Sequence, residues 1–160
     1  MRIRPYLPED LPAMLELWNE VVREGEAFPQ EEELTPETGA AFFASQSCSA
    51  VAEAENGTLP GLYILHPNNV GRCGHICNAS FAVGSASRGR GTGEALVRDC
   101  VSRAASLGFR IMQFNAVVEG NLRARRLYER LGFRQLGTIP GGFRRKDGAY
   151  VNICPYYLEL

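Results

Sequence analysis

The chain has 160 residues, 45% of them hydrophobic and 22% charged, which is enough apolar material for one packed core. A formal net charge of −1 and a pI near 6.1 exclude the strongly basic balance of a nucleic-acid binder. No apolar run approaches the roughly 18 residues of a membrane span, and Met1-Arg2-Ile3-Arg4-Pro5 opens no signal-peptide pattern, so one soluble, cytoplasmic domain over residues 1–160 is expected.

Ile3 to Pro5 reads as a short edge strand. Glu9 to Glu24 reads as a helix with Leu11, Met14, Leu15, Trp18 and Val21 or Val22 on one face and Gly25 as its C-cap. Phe28-Pro29 opens a polar loop. Thr35-Pro36-Glu37 has the order N-cap, N1 proline and acidic first turn, and starts a second helix that runs to about Ala44. Cys48 to Ala54 and Leu59 to Leu65 read as strands joined at Asn56-Gly57. A loop follows from Pro67 to Gly74, and Asn78 to Val83 alternates as a strand.

Arg88-Gly89-Arg90-Gly91-Thr92-Gly93 comes next, and an amphipathic helix runs from about Glu94 to Leu107. Glycines at a strand-to-helix turn let main-chain N–H groups point outward, and the helix start adds unpaired donors and a positive dipole end. The predicted ligand is a phosphate or pyrophosphate. The mononucleotide loop pattern fails here, because no Lys-Ser or Lys-Thr follows. The dinucleotide pattern fails too, because Glu94 stands where its third glycine belongs. An ordinary glycine-rich turn, or an Arg-Gly stretch touching nucleic acid, stays open at this point.

Arg110 to Val117 reads as a strand. Asn121 to Leu131 reads as a helix with Ala124, Leu127, Tyr128 and Leu131 inward, capped by Gly132. Phe133 to Ile139 and Ala149 to Leu158 read as closing strands, with Pro140 to Gly148 between them as a mobile loop. The order predicts a mixed α/β (α+β) layer, one sheet with helices on both faces. The odd count of five cysteines predicts reduced thiols. Cys73, His75 and Cys77 offer three zinc-ligand types, but a structural site wants four and no second pair exists, so no metal is expected.

Arg88-x-x-Gly91-x-Gly93 resembles the [QR]-x-x-G-x-[GA] signature of the GCN5-related N-acetyltransferases. About thirty residues on, Asn121-Leu-Arg-Ala124-Arg-Arg-Leu127-Tyr128-Glu129-Arg-Leu131-Gly132-Phe133 resembles the N-x-x-A-x-x-[LF]-Y-x-x-x-G-F segment of the same family. The resemblance implies a mostly antiparallel sheet split into a V, with acetyl-coenzyme A as co-substrate lying in the gap. It implies cofactor contacts at Phe81, Ala82 and Val83, along Arg88, Gly89, Arg90, Gly91, Thr92, Gly93 and Glu94, and at Asn121 and Tyr128. Tyr128 is implied as the group beside the departing thiol. With a phenol near pKa ~10 and a thiol near ~8.5, full proton transfer is uphill by roughly 2 kcal/mol, so a hydrogen bond to sulfur is the expected role. No acid lies on Asn78 to Val83; His75 and Glu119 are the remaining candidates for a base.

A narrower resemblance joins Leu65-His-Pro67-Asn68-x-x-Gly71-Arg72, His75-x-Cys77-Asn78-Ala79-x-Phe81 and Phe114-Asn115 to the subgroup that acetylates proline analogues such as azetidine-2-carboxylate. It implies Asn78 and Asn115 as substrate ligands, with Asn115 and Asn121 in catalysis. That subgroup carries tryptophan at the place of Tyr128, and it has an N-terminal extension that this chain lacks. The expected partner is a small-molecule amine, with no nucleic acid and no membrane; homodimers are common in the family. Two other readings stay open: an inactive acyl-coenzyme-A-binding sensor module, and an enzyme acetylating protein N-termini or lysines.

Overall fold

The computed structural model describes all residues from Met1 to Leu160. Strand β1 (Arg2–Pro5) leads through a single 3-10 turn at Pro8–Asp10 into helix α1 (Leu11–Glu24). Helix α2 (Pro36–Ala44) and strands β2 (Cys48–Glu53), β3 (Gly61–Pro67) and β4 (Ile76–Val83) follow. Helix α3 (Thr92–Ser106), strand β5 (Ile111–Val118) and helix α4 (Leu122–Arg130) come next. The chain closes with β6 (Arg134–Gln135), β7 (Ile139–Arg144) and β8 (Tyr150–Glu159). The sheet has eight strands in the order β1-β2-β3-β4-β5-β8-β6, with β7 also on β8. Every pairing is antiparallel except β4 with β5.

The two sheet faces carry different helices. On one face α3 and α4 cover a core that includes Tyr63, Leu96, Cys100, Met112, Phe114 and Tyr156. On the other, α1 and α2 cover Met14, Trp18, Phe43, Val51, Leu62 and Ala82. The Trp18 ring anchors that second core, its centroid 4.4 Å from Phe28 and 5.0 Å from Phe42. Burying an aromatic of this size contributes on the order of 2–3 kcal/mol.

Local chemistry sets the helix ends. Gly25 leaves α1 with φ of 64°, a left-handed turn suited to glycine. The Thr35 hydroxyl accepts the Thr38 N–H at 3.1 Å at the start of α2. Helix α1 starts two residues later than its sequence pattern indicates, because Asp10 turns back to accept the Leu7 N–H at 2.7 Å and binds Arg4. Helix α3 starts two residues earlier than Glu94, at Thr92, which is buried beneath the glycine turn.

The segment from Pro140 to Gly148 is a correction. Most of it is ordered strand: β7 pairs with β8 through Ile139–Ile153, Phe143–Val151 and Arg144–Tyr150, with an irregularity between. Gly141 and Gly142 suggested a loop, yet Gly142 is where the strand lies against Ile153; an added Cβ would sit 2.5 Å from its side chain. The hairpin tip then reaches across to the loop after α1. Arg144 pairs with Glu31, Arg145 with Glu26, and the Lys146 N–H donates to the Gly25 carbonyl at 3.4 Å.

Candidate active site

The sheet opens between its two parallel strands. β4 and β5 pair only at Ile76–Ile111 and Cys77–Met112, and then part. A bulge in β5 between Phe114 and Val117, against β8, bends that strand away. The register with β3 decides which main-chain groups this leaves free. Gly84 donates to the Pro60 carbonyl at 3.0 Å and Asn68 to that of Ile76 at 2.8 Å, so the even-numbered residues of β4 exchange hydrogen bonds with β3. Ala79, Phe81 and Val83 therefore turn their N–H and C=O groups toward the gap; there Asn78 Oδ1 accepts the Ala79 N–H at 2.8 Å and the Val83 carbonyl accepts from Arg88, which leaves the N–H groups of Phe81 and Val83 without a partner. Ala82 turns its own to Leu62, and its methyl packs under α1.

The gap is the mouth of a cleft of about 740 Å3, lined by Asn78, Ser80, Phe81, Val83, Phe114, Asn115, Asn121 and Tyr128, among others. At one end stands the glycine turn. No main-chain acceptor in the fold takes the N–H groups of Gly89, Arg90, Gly91, Thr92, Gly93 or Glu94; the first bond of the new helix is Ala95 N–H to the Gly91 carbonyl at 3.0 Å. Gly91 has φ of 83°, and a Cβ built there meets nothing within 4 Å, so the turn is open on its outer side. Six consecutive free donors at the positive end of a 15-residue helix form an anion cradle.

The charged side chains of this region are mostly engaged. Arg88 gives its Nε–H to the Val83 carbonyl at 3.1 Å and holds Glu24 of α1 at 2.8 and 2.9 Å. Glu94 takes Arg98 and Arg130, which hold its carboxyl below the usual carboxylate range. Arg90 stays exposed in the turn, and Arg123, exposed on α4, lines the cleft.

Tyr128 lies on the inner face of α4. Its ring centroid is 4.5 Å from that of Phe114 and 5.6 Å from that of Phe133. Burial pushes its phenol well above its ordinary range, with the Cys100 thiol adding a little, and no protein group hydrogen-bonds its hydroxyl. Asn121 caps the same helix, accepting the Ala124 N–H at 3.3 Å. Arg125 fixes the helix from outside, donating to the Glu119 carbonyl at 3.0 Å and to the Tyr156 hydroxyl at 3.1 Å.

Asn78 and Asn115 meet on the face under α1 and α2, brought together by a residue that sequence reasoning left out of the site. Asn68 donates to Asn115 Oδ1 at 3.1 Å. Its own Oδ1 accepts Asn115 Nδ2 at 2.7 Å and Asn78 Nδ2 at 3.3 Å. Gln113 also donates to Asn115 Oδ1, at 3.1 Å. Asn121 stands apart from this cluster at the α4 cap. The two acid–base candidates lie off the cleft: His75 is exposed, with its carbonyl taking the Arg110 N–H, and Glu119 takes Asn152 at 3.3 Å. The carboxylates that do line the cleft, Glu24 and Glu26, each hold an arginine. Cys73 is exposed and Cys77 is buried with its thiol on the Ile111 carbonyl, so the Cys73-Gly-His75-Ile-Cys77 run does not converge.

A mixed sheet opened at one parallel pair, with an anion cradle at one end of the opening, makes a cleft suited to a phosphate-bearing ligand. The sequence profile of the Acetyltransferase (GNAT) family matches residues 11–133, and the chain belongs to that family. It is 38% identical over 89 residues to the N-acetyltransferase aca1 of Schizosaccharomyces pombe, covering 56% of this chain and 43% of that protein. The chain thus spans less than half the length of that relative. A solved GCN5-related N-acetyltransferase from Kribbella flavida superposes with a TM-score of 0.92 at 37% identity, over 99% of this chain and 97% of its own. The fold also matches a GNAT superfamily phosphinothricin acetyltransferase from Sinorhizobium meliloti solved with acetyl-coenzyme A, with a TM-score of 0.92 at 22% identity, over 99% and 88% of the two chains.

Proposed function

We propose that this protein moves the acetyl group of acetyl-coenzyme A to the amine of a small amino or imino acid. The observation that carries the reading is the arrangement of one continuous cleft. Free N–H groups from Gly89 to Glu94 stand at one end, unpaired main-chain N–H groups at Phe81 and Val83 in the middle, and neutral amides at Asn78 and Asn115 on the face opposite α3 and α4.

Bound acetyl-coenzyme A would supply an activated thioester: an unprotonated amine attacks its carbonyl carbon, the carbon–sulfur bond breaks as the carbon–nitrogen bond is kept, the sulfur leaves as the coenzyme A thiolate, and the extra proton on the nitrogen passes to water in the cleft. The cradle at Gly89 to Glu94, which contains the exposed Arg90, fits the diphosphate. The Phe81 and Val83 N–H groups face the position of the thioester and of the charge that develops on its oxygen. Asn78 and Asn115 donate to the acceptor's carboxylate without adding charge of their own. Tyr128 keeps its proton, because burial raises the phenol further above a thiol, and steadies the departing sulfur with a hydrogen bond. Asn121, at the helix cap, orients the bound pair.

Thiol release on mixing with acetyl-coenzyme A and a panel of free amino and imino acids tests this. Turnover with carboxylate-bearing amines is the expected result. Acetyl-coenzyme A binding with silence across the panel would favour a binding module without turnover, a reading supported by the absence of any unpaired carboxylate along the cleft.

A further inference from the structure

Asn68 sits at the end of β3, where the chain leaves the sheet, and its main chain stays tied to the sheet by the N–H bond to Ile76. Its side chain does something more specific than brace a loop. Two amide donors from different strands, Asn78 Nδ2 and Asn115 Nδ2, converge on one oxygen, Asn68 Oδ1, at 3.3 and 2.7 Å. In return Asn68 Nδ2 reaches only Asn115 Oδ1, which already takes Gln113. Two convergent N–H donors on a single oxygen reproduce half of a carboxylate-binding site, with a carboxamide oxygen standing where a carboxylate oxygen would bind.

We propose that Asn68 is a built-in placeholder for the acceptor's carboxylate, displaced when the acceptor enters. The proposal rests on the amino-acid reading given above. Hydrogen bonds to a charged acceptor are roughly twice as strong as those to a neutral amide, so a carboxylate takes both donors from Asn68, whereas an amine without a carboxylate gains nothing by doing so. The placeholder keeps the donors paired and aligned in the free enzyme, and it sets a threshold that weak, uncharged ligands do not cross. Asn68 is therefore a specificity-determining residue.

The test compares steady-state constants of wild type, Asn68→Ala and Asn68→Asp for an imino acid, for its amino-acid analogues and for the matching amine that lacks the carboxylate. Removing the competitor should lower the KM of the carboxylate acceptor about tenfold, the equivalent of two neutral hydrogen bonds of ordinary net strength. No such fall is expected for the carboxylate-free amine. Asn68→Asp, which plants a tethered anion on the same donors, should raise the KM of the carboxylate acceptor above wild type. An unchanged or raised KM in Asn68→Ala, with kcat reduced for every acceptor alike, would make Asn68 a structural clamp and overturn the placeholder alone. Wild type that binds acetyl-coenzyme A and acetylates none of the acceptors would remove the amino-acid reading, and the placeholder with it. Melting curves and acetyl-coenzyme A titration on each variant separate these outcomes from misfolding, and Asn68→Ser serves if Asn68→Ala does not fold.

Discussion

Replacing Tyr128 with phenylalanine isolates a single hydroxyl. The ring is held by Phe114, Phe133 and Tyr156, at centroid distances of 4.5, 5.6 and 6.2 Å, and phenylalanine keeps all three contacts. The hydroxyl faces the cleft with no partner in the fold, so its removal leaves no orphaned group behind. Stability should hold or rise slightly, within about 2–4 °C in Tm, the span of roughly 1 kcal/mol for a chain of this size. Catalysis should suffer more. A hydrogen bond to a developing thiolate is of the charge-assisted kind, roughly 1.5–3 kcal/mol, which is about 10- to 150-fold in kcat. Because burial raises the phenol, the wild-type rate should show no alkaline fall from tyrosine ionisation up to about pH 9.5. Thiol release followed at saturating acetyl-coenzyme A, across pH, measures both. An unchanged kcat in Tyr128→Phe would refute the assignment, and a large drop in Tm would show that the hydroxyl serves the core instead.

Gly91→Ala forces a side chain into φ of 83° at the open side of the cradle, so acetyl-coenzyme A affinity measured by calorimetry should fall at least tenfold, reflecting roughly 1–2 kcal/mol of backbone strain and a blocked approach. Glu24→Gln removes the carboxylate that grips Arg88; this pair is about one-third exposed, so the cost should be only about 0.5–1 kcal/mol in denaturant unfolding and should shrink with added salt. Asp10 is held below its ordinary pKa by Arg4 at 2.7 and 3.0 Å, despite its burial, with the Leu7 N–H assisting. A depressed folded pKa gives stability that is complete above the unfolded value of about 3.9 and is lost as pH falls through the folded one, so wild type should lose stability below about pH 4 more steeply than Asp10→Asn in urea melts at stepped pH.

Local pattern and contact over distance divide what the sequence disclosed. The Thr35-Pro36-Glu37 start, the Gly25 cap and the alternation of Asn78 to Val83 are written in neighbouring residues, and each element stands where its pattern places it. The glycine signature and the Asn121-to-Phe133 segment likewise marked both walls of the cleft. Strand β7 escaped notice because Pro140, Gly141 and Gly142 carry no strand propensity of their own; pairing with β8 and packing on Ile153 override it. The ion pair of Arg88 with Glu24 was not legible in the sequence, because the two stand 64 residues apart. Asn68 is 47 residues from Asn115, and no spacing rule links a loop amide to a strand amide across a sheet.

The clasp between the last hairpin and the loop after α1 has a consequence for how the protein comes into being. Its ion pairs join residues 113 and 119 positions apart, from opposite ends of the chain. Closing so long a loop is entropically slow, and the fastening charges lie largely in water, where they add little. The hairpin tip, held to that loop by these charges, should then settle late in folding and lift early in partial opening, while Phe28, packed on Trp18, keeps the loop itself in place. Amides of the tip from Arg145 to Gly148 should exchange with deuterium well before those of the central strands.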